Sequence, residues 1–255
     1  MKYVTALYWP DGFPNEKSFG SNRFCKRARR SFSHGHISGV VPTLLSSQKV
    51  AGDDLIILLD EHIKKASPST YESFANSELN ISDLPEGVIP RTGFWLKKWH
   101  IVLHMLDKLG EPFVWVDFLD AEILEKFTDE EEAFLKNGRD IVCEFERFRV
   151  FGPKMHNSNG EVCGGHRQVQ PQTCIYYLNS EKIPKLCIDE DIDHDQISLG
   201  HAMEKEYGIF QDSSFADLKH FSSHGLFRTS KNCLTNSPSN YHDQTFGCKI
   251  SHKGQ

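Results

Sequence analysis

The chain has 255 residues, 38% of them hydrophobic and 11% aromatic, enough to bury a core and too many for a disordered chain. Its formal net charge is −6 and its pI is near 6.1, so no broad basic face is implied and general nucleic-acid binding is disfavoured. The longest purely aliphatic run, Leu55-Ile-Ile-Leu-Leu59, is far short of the ~20 residues of a membrane helix. The opening MKYVTALYWPDG has no long apolar core of a secretory signal. Seven scattered cysteines with no C-x-x-C pair read as reduced thiols of a cytoplasmic protein. The length suits one large domain or two small ones.

Strand-like and helix-like segments alternate along the chain, which predicts an α/β fold. Residues 2–9 read as a first strand, stopped by Pro10-Asp11-Gly12. A helix is predicted over 21–33, where Phe24, Ala28 and Phe32 recur every four residues. Lys26, Arg27, Arg29 and Arg30 lie between them, as a solvated face or as a phosphate-facing patch. Residues 54–60 read as a strand buried on both faces, as parallel strands usually are. Trp95, Leu96, Trp99, Val102, Leu103, Leu106 and Leu109 follow helical spacing, and Gly110 and Pro112 stop that helix. Phe113–Val116 reads as a strand, 130–137 as a helix with an acidic first turn, and 141–145 as a strand. Residues 155–167 read as a polar loop, 173–178 as a strand and 195–206 as a helix. The last fifty or so residues are rich in Ser, His, Asn and Lys, and read as a mostly irregular tail wrapping back over the body.

The apolar run Phe-Val-Trp-Val ends in Asp117, and Asp120 and Glu122 are expected on the loop that emerges from it. In open α/β sheets the carboxyl ends of strands are where ligands bind. Mg²⁺ and Mn²⁺ take oxygen ligands, commonly one or two carboxylates plus substrate phosphates. The three acids therefore either hold a metal on a diphosphate or cap the next helix. Two other metal-like patterns are incomplete. Cys163-Gly-Gly-His166 lacks the second half of a zinc site, and His100 and His104, four apart on a helix, lack the Glu of His-Glu-x-x-His.

Aromatic-x-Asp at a strand end, after a helix that opens Gly-aromatic-Trp-x-x-Lys, resembles the sugar-nucleotide glycosyltransferases of GT-A fold. Arg91-Thr-Gly-Phe-Trp-Leu-Lys-Lys98 is similar to the Gly-Tyr-Trp-x-Trp-Lys-Pro element of a bacterial and viral glycosyltransferase-like group. Lys98 matches the lysine, and Trp99 stands where proline is usual. The group's Asp-x-Asp appears here as Asp117-Phe-Leu-Asp120-Ala-Glu122, and either Asp117 or Asp120 takes the first acid's place. Residues 170–180 resemble the strand that flanks the acceptor site in such enzymes. Asp193-His-Asp-Gln196 resembles the Asp-Gln pair that opens a following helix, with Asp243-Gln244 a second candidate. His224-Gly225 sits where a late metal-binding histidine is often found. The resemblance covers about residues 3–228.

It implies a single GT-A-like domain over 1–228, with a mostly parallel central sheet flanked by helices, and a tail at 229–255. It implies sugar transfer from a nucleotide-diphosphate sugar to a glycan or other hydroxyl acceptor, modified DNA included. Thr5, Ala6 and Tyr8 would line the base or ribose. Asp117, Asp120, Glu122 and His224 would hold Mn²⁺ or Mg²⁺ on the diphosphate. Lys98 and Arg91 would add positive charge at the leaving group. Asp195 would lie near the reacting sugar as general base, N-cap its helix, or do both. The other readings are a metal-dependent nucleotidyltransferase or phosphohydrolase, and a binding protein on a degenerate transferase scaffold. The sequence has no glycine-rich phosphate loop of the usual kinds.

Overall fold

The computed structural model describes residues 1–8, 40–66, 68–85, 87–89, 97–118, 121–147, 154–156, 162–164, 169–192, 195–208, 220–228 and 246–252. The helix predicted at 21–33, Arg91, Asp120, Asp193, His166 and Asp243-Gln244 lie outside these residues.

The fold is mixed α/β around a six-stranded sheet. Its strands are β1 (Lys2–Leu7), β2 (Leu55–Asp60), β3 (Ile81–Leu84), β4 (Phe113–Val116), β6 (Ile141–Arg147) and β9 (Val169–Leu178), in the spatial order β3-β2-β1-β4-β9-β6. The strands β3, β2, β1 and β4 run parallel to one another. Strand β9 is antiparallel to both β4 and β6, so β6 shares the direction of β4. The chain steps one way from β1 to β2 and β3, then returns to place β4 on the other side of β1. That reversal makes a switch point between β1 and β4, where neighbouring crossovers leave on opposite faces; in open α/β sheets ligands bind outside the carboxyl ends of the strands at such a point.

Both faces of the sheet are covered, which is why strands such as Phe113–Val116 are apolar throughout. On one face α4 (Lys97–Leu109), α6 (Lys182–Asp189) and α7 (Asp195–Tyr207) pack on Val4, Ala6, Trp115 and Tyr176. On the other, α1 (Val41–Ala51), α2 (Glu61–Ala66), α3 (Pro68–Ala75) and α5 (Asp129–Lys136) cover Tyr3, Leu7, Ile57 and Val114. Helix α5 starts on a capping box: Glu131 N–H donates to the Thr128 hydroxyl, and the Glu131 carboxylate accepts from Thr128 N–H.

Two expectations are corrected. The segment read as a polar loop holds a hairpin of β7 (Lys154–His156) and β8 (Val162–Gly164), whose strands are too short to show alternation. Glu122 is not on a loop. It lies in β5 (Ala121–Ile123), part of a second sheet with β10 (Phe227–Arg228) and β11 (Ile250–His252). The end of the chain, read as mostly irregular and wrapping back over the body, supplies a short strand to that sheet, with buried Ile250 opposite Ile123 and Phe227. No helix among the described residues is long and apolar enough to cross a membrane.

Candidate functional site at the carboxyl edge of the sheet

Helix α4 begins at the carboxyl edge of the sheet, and both Lys97 and Lys98 are buried in its first turn. A buried lysine needs partners, because removing an ammonium from water is costly. Lys98 Nζ donates to Asp195 Oδ2 at 2.5 Å and to the Thr173 carbonyl at 3.0 Å. Thr173 Oγ1 donates to the same Asp195 Oδ2 at 2.6 Å, and Asp195 Oδ1 accepts from Gln196 N–H at 2.9 Å. The Lys98 side chain is 4% exposed and that of Asp195 11%, so this ion pair is shielded from water. Burial pulls the Lys98 pKa down, but the negative charges of Asp195 and Asp117 outweigh it and the net shift is upward. Lys98 is therefore an ammonium at neutral pH. Two of its three N–H groups are engaged by Asp195 and Thr173, and its charge lies 5.8 Å from the centre of the Trp115 ring.

The next residue repeats the connection. Trp99 Nε1 donates to Ser198 Oγ at 2.9 Å, and Ser198 Oγ donates to the Asp195 carbonyl at 3.0 Å. Consecutive residues of α4 therefore hold residues one turn apart at the start of α7. Behind them, Tyr176 stacks on Trp115 and packs against Trp99. The Tyr176 hydroxyl and Trp115 Nε1 are buried, with no hydrogen-bond partner among the described residues.

Asp117 is the first residue past β4, and its N–H donates to the Cys174 carbonyl at 2.7 Å. Side chains alternate along a strand, so Asp117 follows Phe113 and Trp115 onto the face covered by α4. Its charge acts on Lys98 and Tyr176. The pairing of β9 with β6 slips here, from Cys143–Tyr176 to Phe145–Pro171. Such irregularities re-aim side chains, and this one lies where Thr173 reaches Lys98 and Asp195.

The other candidates divide. Thr5, Ala6 and Tyr8 are all buried, but they do not share a surface. Ala6 and Tyr8 belong to the α4 side, whereas Thr5 alternates to the opposite face with Tyr3 and Leu7, its Oγ1 buried and without a partner among the described residues. Tyr8 lies past the end of β1, at the carboxyl edge. Glu122 alternates away from Ala121 and Ile123, which are in the core of the other layer. His224 has a positive φ of 50°, and its ring meets Phe134 edge-on at 5.2 Å. Among the described residues no group of three or more His, Cys, Asp or Glu side chains is placed to hold a metal ion. Lys98, Asp195 and Asp117 are thus brought together, while Glu122 and His224 are not brought to them as a cluster. Of the two paired histidines, His100 is half-buried, and burial lowers its pKa.

Thr173 is the participant that sequence reasoning missed. Its only signal was its place at the start of the 173–178 strand, and its use depends on the slipped register of β9.

No protein-family model matches the chain. No curated protein matches it either. Among solved structures, a nucleoside-diphosphate-sugar pyrophosphorylase from Vibrio cholerae RC9 is similar over 82% of this chain and 89% of that chain, with 11% identity and a TM-score of 0.40. So distant a likeness carries no conclusion about chemistry.

Proposed function

We propose that the chain is a GT-A-like glycosyltransferase that moves a sugar from a nucleotide-diphosphate sugar to an acceptor hydroxyl, at the carboxyl ends of β1 and β4. The observation that carries this reading is the buried Lys98–Asp195 pair beside Asp117, at the switch point of a mostly parallel sheet. Buried charge is expensive, and a pair set at a ligand-binding edge is more simply explained by chemistry than by stability.

Each residue has a role that follows from its position. Asp195 and Thr173 fix the Lys98 ammonium, which leaves its remaining N–H for an oxygen of the leaving diphosphate. Asp195 is a positioning residue in this scheme, since its Oδ2 already accepts from two donors. Asp117 adds a further carboxylate beside this pair, and its charge acts on Lys98. That suits a hard divalent cation, Mn²⁺ or Mg²⁺, accompanying the diphosphate. Asp117 would hold it, together with Asp120, which follows closely in the chain and lies outside the described residues. When bound, the cation supplies positive charge to the diphosphate oxygens. Tyr8, at the end of β1, would flank the nucleotide. In the transfer, the bond from the sugar's anomeric carbon to the diphosphate oxygen breaks and its electron pair stays on that oxygen. The acceptor oxygen bonds to the anomeric carbon, and its proton is released to water.

A thermal-shift panel of nucleoside diphosphates and nucleotide sugars, with and without Mn²⁺, tests this reading. A ligand that binds only the native state raises apparent stability, by about 2.7 kcal/mol at a hundred times its Kd. One base should give a metal-dependent shift that is lost in Asp117→Asn. No shift with any nucleotide would remove the reading.

A further inference from the structure

We propose that a second site, at the amino end of β6, binds a small molecule carrying a single phosphate or carboxylate group through Arg139. A cavity of about 380 Å³ opens there, and its walls include Arg139, Asp140, Tyr207, His220 and Phe221. Ile141 and Phe113 both pair with Leu178, so this is the amino end of β6 and β4 alike. The cavity is therefore at the opposite edge of the sheet from Asp117 and independent of the proposed transfer site.

The electrostatics point to an anion. The Arg139 guanidinium is half-buried and lies 4.1 Å from the centre of the Phe134 ring. Its Nη1 donates to the Ser222 carbonyl at 3.1 Å, which uses one of five N–H donors. Among the described residues it has no carboxylate partner. Burial lowers its pKa.

The other charges around the cavity are accounted for. Asp140 Oδ2 accepts from the Tyr207 hydroxyl at 3.1 Å, and the Asp140 carbonyl accepts from Asn179 N–H at 2.9 Å. Lys182, which feels the charge of Asp140, forms an ion pair with Glu206. His220 is exposed at the rim. An oxyanion can meet the guanidinium bidentately, an arrangement that a carboxylate or phosphate fits and a neutral ligand does not. Asp140 in the same cavity disfavours a ligand that carries a second acid group. The rings of Tyr207 and Phe221, 4.9 Å apart, form an apolar wall for the ligand's body.

The test is phosphorus NMR of inorganic phosphate titrated with the full chain. Exchange broadening is expected with the wild-type chain, with affinity about tenfold lower in Arg139→Gln, equivalent to ~1.4 kcal/mol. Arg139→Lys keeps the charge and should retain part of the binding, which guards against loss through misfolding. Displacement of phosphate by acetate would assign a carboxylate ligand. Displacement by methyl phosphate but not by acetate would assign a phosphate ester. The proposal fails if wild-type chain causes no broadening, or if Arg139→Gln, with an unchanged unfolding midpoint, broadens the signal equally.

Discussion

Lys98 Nζ lies 2.5 Å from Asp195 Oδ2, across 97 positions of chain, and joins the first turn of α4 to the first turn of α7. Trp99 and Ser198 repeat the junction beside it at 2.9 Å. These two links hold α4 and α7 together at the carboxyl edge of the sheet.

Removing one partner of a buried pair leaves the other charge uncompensated. Lys98→Met should destabilise the fold by about 3–5 kcal/mol in urea unfolding. Lys98→Met combined with Asp195→Leu should recover much of that loss, because no charge is then stranded. A loss in the double variant equal to the sum of the losses in Lys98→Met and Asp195→Leu alone would show that the groups do not interact.

The alkaline limb of stability has a definite sign. The folded pKa of Lys98 stands above 10.5, and burial pushes the hydroxyls of Tyr3 and Tyr177 up to about 12. All three groups keep their protons more tightly in the native state. Their contribution is complete below the unfolded values, near 10, and is lost as pH rises through the folded ones. Urea midpoints should fall between about pH 10 and 12, and Tyr3→Phe should make that fall shallower. A fall that begins below pH 9 would have another origin.

Ser198→Ala would leave the fully buried Trp99 indole N–H without its acceptor. An unsatisfied buried donor costs about 1–3 kcal/mol. Equilibrium unfolding should show that loss. Unchanged stability would mean that water or another group replaces the hydroxyl.

Helix α5 offers a local check. Thr128→Ala should cost about 1 kcal/mol, the usual worth of an N-cap. Adding Glu131→Ala should cost less than the sum of the two single changes, because both remove the same reciprocal box.

The elements legible in the sequence were those with strong local signals. Phe113–Val116 is uniformly apolar, and α4 carries a long apolar stripe closed by Gly110, at φ 62°. Helix α1 was not foreseen, because its buried positions are Leu44, Ser47 and Ala51, and a stripe of small and polar residues has no apolar period. Helix α6 shows the same limit: Pro184 sits in its first turn, and few residues carry its buried side. At the candidate site, Lys98, Asp117 and Asp195 were each singled out, but their meeting depends on β4, α4 and α7 converging at one edge. Chain spacing also placed Glu122 beside Asp117. The alternation of β5, set by its pairing with Ile250–His252, turns Glu122 away from the core.

The most direct test of the transfer reading is product analysis with Mn²⁺ and a panel of nucleotide sugars, using wild-type chain and Asp117→Asn. The account predicts that one donor releases its nucleoside diphosphate and free or transferred sugar, and that Asp117→Asn abolishes the release while remaining folded. Release of nucleoside monophosphate instead, or diphosphate release that is unchanged in Asp117→Asn, would contradict it.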